Sequence, residues 1–258
     1  MSQLKSNIAV LGVLSVLCFA QPAFAFRILF IGNSFTGHAE ASLNNLALFS
    51  PFESDTLSFQ YVGGIDLGSH SQREETLAAL RNNSWDYVFL QDFSTRPLEN
   101  PTGFQASIDF FVKEIRRRGA EPILYAPWAR KLPLLTYRAR QVEVSAQYMK
   151  AASRHGLAMA RVGDLWLQQF DFDRALFNQL FVSDGIHATT AGQFAIAASI
   201  YKVLYQSDLI WAPAFGVPGG TADKIRTAAA NLNITRAAHL NARSPMSAIP
   251  VIVDLLLE

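Results

Sequence analysis

The sequence predicts an α/β protein in which a parallel sheet is covered by helices on both faces. Short apolar runs at residues 26–31, 57–62, 87–90, 122–125 and 157–162 recur at roughly 30-residue intervals, the spacing of repeated βαβ units. Stretches of helical periodicity lie between them, at 40–49, 72–82, 103–118 and 137–155. Strands buried on both faces read as continuous apolar runs, and crossover helices supply the covering layers.

Each element has its own warrant. The run at 26–31 is rich in large and branched apolar residues and stops at Gly32, which marks a buried strand. Within 103–118, Ile108, Phe111, Val112 and Ile115 fall at i, i+3, i+4 and i+7, so one helix face is buried. A further helix is expected over 190–205, with Ala191, Phe194, Ala198 and Tyr201 on its packed side. Beyond it, 211–220 is rich in Pro and Gly and reads as a loop, 222–242 as an alanine-rich helix, and 249–257 as a last apolar segment.

Composition narrows the function classes. The 258 residues are 50% hydrophobic and 17% charged, which supports one sizeable core and excludes a disordered chain. Lys plus Arg number 22 against 21 Asp plus Glu, and the basic residues are scattered except for Arg116, Arg117 and Arg118. That run, just before Gly119, suits the carboxyl end of a helix, and no nucleic-acid footprint is expected.

At the start of the chain, Lys5 precedes an apolar stretch over 8–20, followed by Gln21, Pro22 and the small-residue pattern Ala23-Phe24-Ala25. This reads as a signal peptide over 1–25, cleaved after Ala25, for a secreted or periplasmic protein. The stretch is shorter than the roughly 20 residues that a membrane span requires, so no stable span is expected after cleavage. The one cysteine, Cys18, falls in this segment, which leaves the mature chain without a disulfide. No His cluster has ligand spacing, so no metal and no cofactor is expected.

Two motifs carry chemistry. Gly32-Asn33-Ser34-Phe35-Thr36 follows the first strand, where open α/β sheets collect reacting groups. The glycine permits a sharp turn, and Ser34 then lies at a helix N-terminus. By itself this is also an ordinary strand-to-helix turn with a capping hydroxyl. The second motif, Asp184-Gly185-Ile186-His187, places a carboxylate three residues before an imidazole on one loop. Asp184 holding Nδ1–H would leave Nε2 free to take a serine proton.

Together these motifs resemble the first and last blocks of the SGNH (GDSL-like) hydrolases, and they bracket most of 26–210. The resemblance implies a flavodoxin-like three-layer α/β/α sandwich with a central sheet of about five parallel strands. It further implies a serine ester hydrolase acting through an acyl-enzyme, with Ser34, Asp184 and His187 catalytic. The family's second block is matched by Tyr61-Val62-Gly63-Gly64, which makes Gly64 the oxyanion donor, with Gly63 as the alternative register. Its third block usually carries asparagine; here Gln91-Asp92 stands in its place, as in a divergent branch, and Gln91 is the candidate second donor. Thr36 takes the place of the second glycine of Gly-x-Ser-x-Gly, which argues against an α/β-hydrolase elbow.

Other side chains are candidates for the cleft. His70 is a candidate substrate-binding residue and His38 a rim residue, while Phe93, Trp128 and Trp166 are candidate apolar walls. Arg96 and Arg130 are candidate contacts for an anionic substrate. The expected substrate is a small-molecule or glycan ester with an O-acetyl or other short acyl group. A binding module on the same fold, or a thioesterase or lysophospholipase, are the rival readings. Residues 211–258 are expected to form a C-terminal extension packed on the same domain.

Overall fold

The computed structural model describes residues 25–47, 55–205 and 213–233. The expected signal segment up to residue 24, and the extension beyond 233, lie outside the described residues. Five strands, β1 (Arg27–Gly32), β2 (Thr56–Tyr61), β3 (Tyr87–Leu90), β4 (Glu121–Tyr125) and β5 (Ala158–Ala160), form one sheet in the order β2-β1-β3-β4-β5. Every neighbouring pair is parallel. This is the flavodoxin-like order, whose switch point falls between β1 and β3.

Among the described residues ten helices complete the sandwich: α1 (Ser34–Ala47), α2 (Leu67–His70), α3 (Glu74–Arg81), α4 (Arg96–Glu99), α5 (Pro101–Arg116), α6 (Tyr137–His155), α7 (Val162–Phe172), α8 (Arg174–Gln179), α9 (Thr190–Tyr205) and α10 (Gly219–Ala230). Side chains alternate across a strand, so the sheet feeds two separate cores. Ile28, Phe30, Phe89, Ile123, Tyr125 and Ala158 face α1, α7, α9 and α10. Leu29, Ile31, Val88, Leu90, Leu124 and Met159 face α3, α5 and α6, including Ile108, Phe111, Val112 and Ile115 of α5. In the first core, Phe30 stacks between its register partners Phe59 and Phe89, at ring distances of 4.8 and 4.6 Å.

At two places the sequence reading is corrected, each for a local reason. Helix α1 begins at Ser34 and not near residue 40, because Asn33 caps it: the Asn33 side-chain oxygen accepts from Phe35 N–H at 3.1 Å. Its glycine, Gly37, weakens the helical signal; a Cβ there would approach Tyr61 Cε2 to 2.8 Å. Strand β5 ends at Ala160, and Val162 opens α7, although 157–162 is one apolar run. Ala126 N–H donates to Ala160 O, and Gly163 N–H then donates to Ala126 O, which draws the chain off the sheet edge into the helix.

Helix α9 is buried nearly all round, Gln193 and Lys202 apart from Gly192 onward. Its second cover is α10, whose Ala222, Ile225, Ala228 and Ala229 are buried in the same core. A helix apolar on all sides needs such a cover. Replacing Phe30 with alanine removes the middle ring of the β2-β1-β3 ladder. The expected cost is about 3–5 kcal/mol, read as a lower urea midpoint at unchanged slope.

Candidate active site

Ser34 opens α1 at the carboxyl end of β1, beside the switch-point crevice. The turn that carries it is held from four directions. Gly32 O accepts from Val62 N–H at 3.1 Å and from His70 Nε2 at 2.6 Å. Gln91 Oε1 accepts from Asn33 N–H and from the Thr36 hydroxyl, each at 3.0 Å. Tyr125 of β4 donates its hydroxyl to Phe35 O at 3.2 Å. Only glycine fits at position 32, since a Cβ would sit 2.5 Å from Gln91 Oε1 and would also strike the Thr36 hydroxyl.

The second half of the site is a hairpin. Phe181 and Ala188 form an antiparallel bridge, and Val182 N–H donates to His187 O. Gly185 turns the chain at φ +67, a conformation side chains rarely adopt. Asp184 Oδ1 accepts from Ile186 N–H at 2.7 Å and His187 N–H at 2.9 Å, while its Oδ2 meets His187 Nδ1 at 2.6 Å. Nδ1–H therefore points at Asp184, and Nε2 faces Ser34 Oγ at 3.1 Å. Desolvation pulls the Asp184 pKa up, but the bonds from the His187 ring, His187 N–H and Ile186 N–H outweigh it and bring it down to about 2. The carboxylate is thus ionised at neutral pH.

Trp128 connects the two halves. Its ring stacks on Phe35 at 4.2 Å and on Trp166 at 4.6 Å, and its Nε1–H donates to Ile186 O at 2.8 Å. One indole therefore contacts the neighbour of Ser34 and the neighbour of His187. Trp128 and Trp166 are fully buried, which corrects their reading as cleft walls.

The glycine pair expected to donate to an oxyanion forms an exposed turn over 62–65, with Gly64 at φ +77 and Ile65 N–H directed at Val62 O. Two bonds moor this turn beside Ser34: Val62 N–H to Gly32 O, and Asn33 Nδ2 to Ile65 O at 3.2 Å. Gln91 and His70 need correction. Gln91 is buried, its oxygen spent on the Ser34 turn and its amide nitrogen on Asp92 O, so it braces that turn and does not face the cleft. His70 is fully buried between Gly32 O and Thr76 Oγ1. A carbonyl only accepts, so Nε2 carries the proton and Nδ1 accepts from Thr76; burial lowers the pKa of the ring, which suits this neutral form.

Sequence reasoning missed Asn33 and the role of Asp92. Asn33 was visible as a capping residue type inside the quoted motif, but its tie to Ile65 O needs the fold. Asp92 is fully buried, with Oδ1 accepting from Leu67 N–H and Phe93 N–H and with Oδ2 unpartnered. Burial raises its pKa to about 6 against the pull of those two bonds. His38 lies one turn after Ser34, 5.2 Å from the His187 ring. Burial, then the charge of His187, lowers its pKa, partly offset by Asp184. Arg96 pairs with Asp66, which removes it from the candidate anion contacts. No group of three or more metal-ligating side chains occurs among the described residues.

The sheet order and its helical layers define an α/β/α sandwich. The chain resembles the SGNH (GDSL-like) hydrolases, as a divergent branch. No family model matches the sequence, and no curated protein matches it. Among solved structures, a candidate SGNH hydrolase from Slackia heliotrinireducens is 26% identical at a TM-score of 0.58, covering 69% of this chain and 98% of that one. A DUF4886 family protein from Bacteroides uniformis is 19% identical at a TM-score of 0.67, covering 81% and 94%. An acetyl xylan esterase from Geobacillus stearothermophilus is 15% identical at a TM-score of 0.54, covering 69% and 93%. No helix among the described residues is long and apolar enough to cross a membrane.

Gly32→Ala displaces Gln91 and Thr36, and is expected to lower stability by about 1–3 kcal/mol. Displacing Ser34 by ~1 Å should also slow any reaction in which Ser34 is the attacking group by about 100-fold, measured on the purified chain. For Asp92, the folded pKa of about 6 lies above the ordinary 3.8, so its contribution to stability is complete below 3.8 and is lost as pH rises through about 6. Urea midpoints taken between pH 4 and 8 should fall across that window, and Asp92→Asn should flatten the decline.

Proposed function

We propose that the chain is an exported serine esterase that removes acetyl or other short acyl groups from glycans or small molecules. The observation that carries this reading is the unbroken line Asp184 Oδ2, His187 Nδ1, His187 Nε2, Ser34 Oγ, with contacts of 2.6 and 3.1 Å. In the proposed reaction Ser34 Oγ attacks the ester carbonyl while its proton passes to His187 Nε2. Asp184, ionised, holds the imidazolium that forms. The oxyanion is stabilised by Ser34 N–H, at the first turn of α1 where it has no helical partner, and by Gly64 N–H, or Gly63 in the other register. Collapse of the tetrahedral intermediate returns the proton to the leaving alcohol, and water then cleaves the acyl-enzyme by the same route.

Export is supported by the pattern over 1–25 and by β1 starting at Arg27, two residues after the proposed cleavage point. A short acyl group suits the likeness to an acetyl xylan esterase fold. The test uses p-nitrophenyl acetate, longer p-nitrophenyl esters and acetylated xylan. Ser34→Ala and His187→Ala should each lower kcat by at least about 10⁴-fold, and Asp184→Asn by roughly 10³- to 10⁴-fold through the wrong imidazole tautomer. Equal rates in wild type and all three variants would overturn the reading and leave a binding module.

A further inference from the structure

The loop after β4, residues 126–133, forms one side of the site. It is fastened to the His187 hairpin by Lys131 N–H to Gly185 O at 2.7 Å and by the Trp128 bond to Ile186 O. β3 and β4 are adjacent, and β1 adjoins β3, so the loop ends of β1, β3 and β4 stand side by side at about 5 Å intervals. The β1 end bears Ser34, the β3 end bears Phe93, and the β4 end bears Arg130. The Arg130 guanidinium lies over the Phe93 ring at 5.3 Å. This stacking orients a planar fork without using its hydrogen-bond donors.

Three cations gather here. Among the described residues Arg130, Lys131 and Arg140 form no ion pair, as is also true of Arg27 and Arg174, whereas Arg73, Arg81, Arg96, Arg116, Arg138, Arg154 and Arg161 each do. Arg140 donates to the carbonyls of Arg130 and Pro133, 3.0 Å each, so it supports the loop from behind. Lys131 stands over the rings of Phe177 and Phe181. Among the described residues Arg130 Nε is buried without a hydrogen-bond partner, as is Arg140 Nε. The adjacent carboxylate, Asp184, is committed at both oxygens to the hairpin and its imidazole. Burial lowers the pKa of Arg140, Tyr137 opposes this, and the charge of Arg130 lowers it further, as expected of crowded like charges. A buried donor without a partner is costly, and an anion relieves that cost.

We propose that Arg130, laid on Phe93 at the rim of the Ser34 cleft, binds a carboxylate carried by the ester substrate, with Lys131 adding to the field. The natural ester would then belong to an acidic sugar or another carboxylate-bearing compound. This rests on the esterase reading, and it selects among the substrates that reading allows.

A matched pair tests it: 4-acetoxybenzoate, which is anionic, and its neutral methyl ester. The intact chain should favour the anion by about tenfold in kcat/KM, a charge-assisted hydrogen bond's worth, and the preference should shrink with added salt. Arg130→Gln should bring the ratio near one through KM, and Arg130→Lys should keep part of it. Arg81→Gln, an ion-paired arginine on α3, should leave the ratio as it was. A wild-type ratio near one, or a ratio that survives Arg130→Gln, overturns the proposal while the esterase reading stands. If neither ester is turned over, the esterase reading fails and calorimetric titration of the Ser34→Ala chain decides the rim: binding of the carboxylate about tenfold tighter than its methyl ester supports it, and equal or absent binding overturns it.

Discussion

The missing side chain at Gly32 is the constraint on which the site is built. In the space a Cβ would take, the Gln91 amide and the Thr36 hydroxyl converge, so the end of β1, the end of β3 and the first turn of α1 meet at one point. The Gly32 carbonyl adds two more elements, taking a bond from the chain after β2 and another from His70 of α2. All of this is buried polar structure, in which each lost partner costs about 1–3 kcal/mol. The position of Ser34 is therefore set by the sheet and not by the loop that bears it. In the proposed reaction a serine held this way needs no reorganisation when the carbonyl arrives, which is the condition under which fixed dipoles are effective.

The same crowding explains why the third block of this chain departs from the SGNH pattern without leaving a gap. Gln91 extends beneath the turn, where it satisfies Asn33 N–H and Thr36. Asp92 closes off the far side by capping Leu67 N–H, at the entrance to α2. One of its oxygens remains buried without a partner, an expense carried beside the site and offset by the rest of the fold.

Much of this was legible in the sequence. The five strands showed as apolar runs because both faces of a parallel sheet are buried, and α6 showed at its true bounds because His155 and Gly156 end it in a left-handed cap. The nucleophile turn and the Asp184/His187 spacing were legible because local chemistry dictates both. What was hidden depends on contacts distant in sequence. His70 and Gln91 have the residue types of a cleft, and only the fold reveals that their polar atoms are already engaged. Trp128 reads as a pocket wall until its indole is seen to span 58 residues to Ile186. The start of α7 was hidden for another reason: an apolar run that crosses from strand to helix has no change of composition to mark the crossing.

The hairpin that bears Asp184 and His187 is a closed unit, with both oxygens of the acid bonded inside it. Acid and imidazole therefore move together as one body, and any displacement of the hairpin alters a single coordinate, the gap between Nε2 and Ser34 Oγ. The fastenings that fix that coordinate, Trp128 to Ile186 O and Lys131 N–H to Gly185 O, come from the arginine-bearing loop after β4. Whatever settles on that loop thus presses on the one distance across which, in the proposed reaction, the serine proton would pass.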